Sequence, residues 1–427
     1  METTDAKTAD YGRGGLQAYR LGIANGVLFA FGAAFVDATT VLPSLVSRLT
    51  TSEVLIGGVT TIGTAGWFLP QLLAANYLQA RPYKRPLYIF AAVFRFLGLF
   101  AVIPVLYFLA AGHPSAALLA FFVAYTCYAL AGGTSGPAFL DIVAKTVPPT
   151  KLGAFFGHRQ FWGGLGAIGS GLLVRWILGS DRLDFPYNYA LLFACGVVFF
   201  TPGWIAFASV REPPGRVTDD PKSLLPFLFS APAALRQHRE FRLLLASRLL
   251  NGAVGIALPF YVVYARRVLE VPEATIGIYV SLQMGGSVAL VPLWAFLNDR
   301  RGPRALLLGV AALYLGAVSL AFSTSLFPGL LVFGRLALMG VFFSLAAIGA
   351  GSFMGYTNYL FAIAPEEQRT LYIGLQNTLF ALTALLPLLG GVIVAATSYA
   401  VLFGLAAVFG LAAVAATLRL PPRVNTD

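Results

Sequence analysis

DIVAKTVPPTKLGAFFGHRQ, residues 141–160, and NYLFAIAPEEQRTLYIGLQN, residues 358–377, are two versions of one pattern. In both, an apolar run closes, a short loop turns on a proline (Pro148, Pro365), and the next run opens with an aromatic two residues before a glycine. Phe155 precedes Gly157, and Tyr372 precedes Gly374. Working outward, Tyr19-Arg20-Leu21 corresponds to Phe241-Arg242-Leu243, and QARPYKRPL (79–87) falls opposite DRRGPRALL (299–307). These offsets all lie between 217 and 222. One offset kept across three separate loops marks an internal repeat, so the chain reads as two related halves in parallel order.

The repeating unit is a set of membrane helices. Of 427 residues, 58% are hydrophobic and 11% charged. A soluble chain carries about a quarter charged residues to keep its surface wet, so most of this surface must face lipid. The apolar residues fall into runs such as LGIANGVLFAFGAAFVDATTVLPSLV (21–46). A helix needs about 20 such residues to cross the hydrocarbon core. Strand spans would alternate apolar and polar residues, and these runs do not.

Twelve runs are expected to span: 19–45, 54–79, 86–111, 115–140, 153–179 and 188–209, then 242–265, 274–298, 303–325, 327–356, 370–397 and 399–420. The fold class is therefore all-α and polytopic, with twelve transmembrane helices in two pseudo-symmetric six-helix bundles. Residues 1–18 form a tail, 19–209 one bundle, 210–241 a linker rich in proline and charge, 242–420 the second bundle, and 421–427 a second tail. An interfacial helix is expected in the linker near KSLLPFLF (222–229). The first run exceeds a 7–15-residue signal-peptide core, which points away from a cleaved leader.

The formal charge of +11 raises the question of nucleic acid, and its distribution answers it. When the connections are assigned alternately to two sides, the side of the termini collects 21 Lys and Arg residues. The other side holds four: Arg48, Arg182, Arg266 and Arg267. That asymmetry is the positive-inside signature of an inner (plasma) membrane protein with both termini cytoplasmic. The basic excess meets anionic lipid head groups rather than DNA. Cys127 and Cys195 lie inside apolar runs without metal-ligand spacing and read as small buried hydrophobes. No cofactor or metal is implied, and the chain is expected to act as a monomer.

AFLNDRRGPR (295–304), in the connection between the eighth and ninth spans, resembles the loop signature G-x-L-x-D-R-x-G-R of the major facilitator superfamily. Asp299, Arg300 and Gly302 occupy its fixed positions and Ala295 replaces its first glycine. The first-half counterpart, NYLQARPYKRP (76–86), keeps the basic residues but has Gln79 where the acid belongs. The resemblance implies that Asp299 caps a neighbouring helix and helps latch a cytoplasmic gate, with Arg300 and Gly302. It implies that Asp299 matters more than anything in the first loop. It further implies a solute site near the midplane between the halves, with spans 1, 4, 7 and 10 lining it and 3, 6, 9 and 12 facing lipid.

Ionisable groups inside spans cost about 2.5–3.5 kcal/mol on insertion scales, so each needs a reason. Asp37 is the carboxylate well inside a span. On a continuous helix it shares a face with the small residues Gly22, Gly26, Ala30 and Ala33, which turns it inward. Two readings stand: a protonation site that couples transport to a proton gradient, or a gate or packing carboxylate. Arg335 lies at similar depth in span 10, and an Asp37–Arg335 charge pair is expected. Arg248, in span 7, is read as snorkelling or as an anion-binding group; Arg95 and Arg175 are read as snorkelling or structural.

Neutral polar residues follow helical spacing as well. Thr60, Thr64, Trp67 and Gln71 line one face of span 2, while Gln160 and Gln376 open spans 5 and 11 at nearly repeat-related positions. With Asn377, Asn251, Tyr261, Gln283, Tyr125 and Tyr356 they form a candidate cavity set, against the alternative of plain interhelical hydrogen bonding.

Three function classes can be weighed. A secondary transporter exporting a hydrophobic or neutral small molecule with proton coupling suits the aromatic content of 14%. A passive facilitator or importer of a neutral metabolite would leave Asp37 structural. A membrane enzyme would gather histidines and acids at the bilayer edge, yet His113, His158 and His238 are scattered. No phosphate-binding G-x-x-x-x-G-K-[ST] loop is present either.

Overall fold

The helices form because apolar runs must satisfy their own backbone hydrogen bonds in lipid. The computed structural model describes residues 2–215, 238–364 and 369–422. The expected interfacial helix at 222–229, and Pro365 of the repeat, lie outside the described residues. Among the described residues eleven helices are long and apolar enough to cross a membrane. The expected second span is a further helix of 27 residues.

In chain order the first half holds α1 (Glu2–Phe35), α2 (Val41–Leu49), α3 (Glu53–Gln79), α4 (Arg85–Leu109), α5 (Pro114–Thr146), α6 (Leu152–Leu178) and α7 (Tyr187–Ala208). The second half holds α8 (Arg239–Ala253), α9 (Phe260–Arg267), α10 (Thr275–Arg301), α11 (Pro303–Leu326), α12 (Leu331–Ile363), α13 (Arg369–Ala381), α14 (Leu386–Ala396) and α15 (Tyr399–Leu418).

Three expected spans are not single helices, and the residues say why. Span 7 breaks through a 3-10 turn at Val254–Ala257 into α9, with Pro259 at the start of α9. Span 11 breaks at Leu382–Leu385 ahead of Pro387. A proline withholds an N–H, and its ring clashes with the carbonyl four residues back. Span 1 breaks between Phe35 and Val41, where Asp37 replaces the lost helical bonds.

The chain divides into two compact units: Met1–Val36 with Gly66–Ser223, and Asp37–Ala65 with Leu224–Asp427. The sequence places the boundary in the linker alone. In the structure, the stretch from the break in span 1 to the middle of span 2 packs with the second unit instead.

Inside each unit the same helix pairs recur. In unit 1, α4 packs on α5 and α7, and α1 on α6 and α7. In unit 2, α11 packs on α12 and α15, and α8 on α13 and α15. The repeat is visible at single residues. Tyr19 and Phe155 meet at 5.6 Å between ring centroids. Their repeat mates Phe241 and Tyr372 meet at 4.6 Å, each pair inside a buried cluster of its own unit. Gly66 lets α3 approach α5, because a Cβ there would lie 2.5 Å from that of Ala129. Gly286 does the same for α10 on α12, where a Cβ would overlap the Phe343 carbonyl oxygen. Small residues at such crossings are how membrane helices gain contact without a hydrophobic driving force.

Candidate functional site

The helix ends remote from the basic loops, here the distal ends, carry the densest polar contacts in unit 2. α3 begins with Glu53, whose Oε1 accepts from Arg267 Nη1 at the end of α9 (2.5 Å) and from the Tyr399 hydroxyl at the start of α15 (3.0 Å). Arg266 pairs with Glu273 and donates to Ser44 Oγ on α2 (3.0 Å). Below Glu53, Gly57 meets the Pro387 carbonyl of α14, and Gly391 meets the Glu53 carbonyl. At both, a Cβ would collide with backbone. Residues 37–65 are thus fastened to the distal ends of spans 7, 8, 11 and 12 by one ion pair and hydrogen bonds outside and by glycine-permitted backbone contact below.

Asp37 belongs to this region and does not pair with Arg335. Its Oδ1 accepts from the Thr39 and Thr40 backbone N–H groups (3.0 and 2.9 Å) and from both threonine hydroxyls (2.7 Å each). That is the geometry by which a carboxylate replaces lost helical bonds at a break. The expected face shared with Gly22 and Gly26 fails because α1 ends at Phe35. Arg335 instead donates to the Leu269 and Glu270 carbonyls (3.0 and 3.2 Å) and holds the turn after α9, where Glu270 has φ 52°. Thr39 passes the connection on, its hydroxyl donating to Gln283 Oε1 on α10 (3.2 Å). Thr60 donates to the Ala38 carbonyl (3.0 Å).

Nearer the middle of the helices, unit 2 holds a second polar group. Arg248 on α8 donates through Nη2 to Asn377 Oδ1 on α13 (3.1 Å). Its guanidinium lies over the Phe380 ring (4.7 Å to the centroid) and beside that of Tyr356 (5.7 Å). The Tyr356 hydroxyl meets Asn251 Nδ2 (3.3 Å) and Ser247 Oγ (3.1 Å), and Ser247 meets Thr417 (2.7 Å). Gln376, beside Asn377, is fully buried with both amide atoms unpaired. The structure therefore brings together Arg248, Asn251, Tyr356 and Asn377 from the expected set. Gln283 is tied to the distal group, and Tyr261 is buried against Phe403 (5.3 Å) with its hydroxyl unpaired.

The unit 1 candidates separate. Tyr125 stacks between Phe121 and Tyr128 in the aromatic interior of the unit. Gln71 donates to the Trp67 carbonyl (2.9 Å), while Trp67 is 42% exposed. Thr64 is half-buried and Gln160 exposed. Arg95 does not snorkel: it is buried, with its guanidinium about 5 Å from the rings of Phe29, Tyr128 and Trp204, a cation–π cage. Arg159 donates to the Gly22 carbonyl and to Asn25 Oδ1 (3.1 Å), and Asn25 in turn reaches Tyr88.

At the basic loops the structure revises the asymmetry expected of the gate. The first loop does not lack an acid, because Glu212 at the start of the linker supplies one. Its carboxylate accepts from the Lys84 and Arg85 N–H groups that open α4 (2.8–2.9 Å) and from Lys145 Nζ (3.0 Å). Lys145 also pairs with Asp141. Burial pushes the Lys84 ammonium below the usual lysine value; it donates to the Leu78 and Arg81 carbonyls. In the second loop, Asp299 accepts from its neighbour Asn298 (3.2 Å) rather than capping another helix. Gly302 turns the chain at φ 81°, and Arg300 lies over Phe296.

Sequence reading missed Glu53 and Glu212. Each is an acid just outside an apolar run, and its partners lie 67 or more residues away. For Glu53 a signal existed: two of the four distal-side arginines are adjacent, Arg266 and Arg267, and need acids in reach.

A sequence model of the Major Facilitator Superfamily matches residues 23–349 and again 243–427. Comparison with curated proteins finds no match. Solved structures share the fold across almost the whole chain. A bacterial homologue of the iron transporter ferroportin in an inward-facing state is 14% identical, with 95% of this chain and 98% of that one covered at TM-score 0.68. The nucleoside transporter NupG is 15% identical (96% and 100% covered, TM-score 0.69). A D-xylose-proton symporter is 15% identical (96% and 99%, TM-score 0.69).

Proposed function

The chain belongs to the major facilitator superfamily and is an integral membrane transporter rather than an enzyme, and from that premise we propose how it works. It is a secondary transporter that moves a small solute with a largely apolar body by alternating access, with both termini cytoplasmic. The positive-inside distribution supports that orientation, and it makes the distal ends the outer ones.

The observation that carries the reading is the lock of Glu53 on Arg267 and Tyr399. It holds the outer ends of spans 1 and 2, whose remaining lengths belong to unit 1, on the helices of unit 2. Such a contact, one ion pair and a few hydrogen bonds over close backbone approaches, can part and re-form, which alternating access requires.

Of the two coupling readings, the one in which Asp37 is structural draws the support, since its Oδ1 is committed to Thr39 and Thr40. Proton-coupled export is the second reading and would place the coupling elsewhere or require the break at residues 36–40 to refold. The test is solute flux in proteoliposomes with Glu53→Cys and Arg267→Cys introduced together. Oxidation should arrest flux and reduction restore it; flux that ignores the cross-link would refute the gate. An imposed pH gradient that drives flux in the wild type and not in Asp37→Asn would return Asp37 to a coupling role.

A further inference from the structure

Arg248 is a cation in the second unit that no acid meets among the described residues. It stands nine residues into α8, about 14 Å of helical rise from the helix start at Arg239, about a third of the way along the span Arg239–Arg267. Its contacts are the Asn377 amide oxygen and the faces of Phe380 and Tyr356, all formally neutral. The ion pairs of Lys145, Arg266 and Arg267 use other acids, Asp141, Glu212, Glu273 and Glu53. An amide oxygen and two ring faces orient a guanidinium without neutralising it. Arginine carries five N–H donors in a planar fork, of which Asn377 takes one. The side chain is half-buried, and Asn377 alone leaves its other donors for a partner of opposite charge.

A second observation points the same way. Gln376, adjacent to Asn377, has no exposed surface, and neither atom of its amide has a hydrogen-bond partner. A buried amide left unpaired costs roughly 1–3 kcal/mol unless something completes it. Asn251 and Ser247 are different, since both are satisfied through the Tyr356 hydroxyl. The repeat-related helix pair of unit 1 carries its own half-buried arginine, Arg159, bonded to neutral oxygens of Gly22 and Asn25. A cation at this helix crossing, without a carboxylate, is therefore a feature of both units.

Resting on the transporter reading above, we propose that the solute is a small organic anion, an acidic group on an apolar or aromatic body, and that Arg248 receives the acid. The fork of Arg248 takes two oxygens of a carboxylate, sulfonate or phosphate ester, the geometry in which guanidinium binding is strongest. Phe380 and Tyr356 flank the body. Asn377 holds the fork in place, as a positioning residue. The aromatic faces of Phe380 and Tyr356 beside the guanidinium favour a solute with an apolar body over the phosphate of a lipid head group.

The test uses the full chain in phosphatidylcholine nanodiscs with shape-matched probes: benzoate, benzenesulfonate and phenyl phosphate against benzamide and benzylamine. Thermal unfolding should rise with at least one acid at millimolar concentration and not with benzamide. Arg248→Gln should weaken that acid about 10–100-fold, the range for a lost charge-assisted contact. Asn377→Asp supplies a variant that need not lose stability. It sets a carboxylate against the guanidinium, so it should raise the unfolding temperature while cancelling the response to acid; a purely structural Arg248 would show the rise alone.

The proposal is overturned if no acid acts, if benzamide matches benzoate, or if both variants keep the wild-type response. It is equally overturned if phosphatidylglycerol, and not the soluble acids, stabilises the protein through Arg248. Flux separates this from the transporter reading. Acids that bind through Arg248 yet cross proteoliposomes no faster than protein-free liposomes would defeat transport and leave the site standing. Flux of neutral benzamide alone would do the reverse.

Discussion

Replacing Glu53 by glutamine keeps the shape of the outer lock and removes its charge, which makes it the sharpest perturbation of the proposed gate. The wild-type Oε1 takes one bond from Arg267 and one from Tyr399. A hydrogen bond to an ionised group contributes about 1.5–3 kcal/mol and a neutral one about 0.5–1.5, so the exchange weakens each by about 1 kcal/mol. The Arg267 side chain is 32% exposed, and solvent screening reduces its share. A loss of about 1–2 kcal/mol from the closed state remains, and at 1.4 kcal/mol per decade this favours the parted state by about 5–30-fold.

Thr61 reports the change. It lies one helical repeat beyond Gly57 and two beyond Glu53 on the face of α3 turned to α14. It is 8% exposed, and its hydroxyl has no partner to lose. With Cys127 and Cys195 replaced, Thr61→Cys should react slowly with an impermeant maleimide added outside. Glu53→Gln should accelerate that reaction by about 5–30-fold. An unchanged rate, in a protein that still elutes as a folded species, would refute the claim that Glu53 holds the seam.

Other perturbations separate the remaining roles. Gly57→Ala drives a methyl group into the Pro387 carbonyl and should raise outside labelling of Thr61→Cys without removing any charge. Asp37→Ala removes the acceptor at the break in span 1 and should cost about 1–2 kcal/mol in unfolding free energy; Asp37→Asn should cost less and leave the response of flux to a pH gradient unchanged. Glu212→Gln should lower stability by about 1–3 kcal/mol, because three donors lose an ionised acceptor that is 1% exposed; the same change at Asp299 should cost less. Lys84 holds its proton less tightly when folded than a free lysine does, near 10.5, because it is buried. The unfolded chain thus binds more protons in the window just below that value, so stability should rise with pH there, and Lys84→Met should flatten the rise in a pH series of unfolding curves.

What could be read without coordinates follows from how far apart the relevant residues are. The correspondence of Tyr19 with Phe241 and of Phe155 with Tyr372 was legible because an offset is a one-dimensional signal; that each pair meets across its own unit was not. The break in span 1 was hidden because hydropathy sums over residues 21–46 and is blind to backbone direction. The chemistry was nevertheless written there: an acid followed by two threonines, with Pro43 beyond, is a capping sequence, and a continuous helix could not have used Asp37 in that way. That misreading propagated, since a continuous helix turns Asp37 inward at the depth of Arg335 and suggests a charge pair. In the structure each instead orders its own irregular segment. Glu53 with Arg267 and Arg248 with Asn377 are separated by 214 and 129 residues. Nothing local in a sequence selects such partners. The two pairs also differ in kind: in the first, opposite charges meet at the exposed rim, where they form a seam that can part. In the second, a cation within the span has only a neutral partner, and the missing negative charge is what a solute can bring.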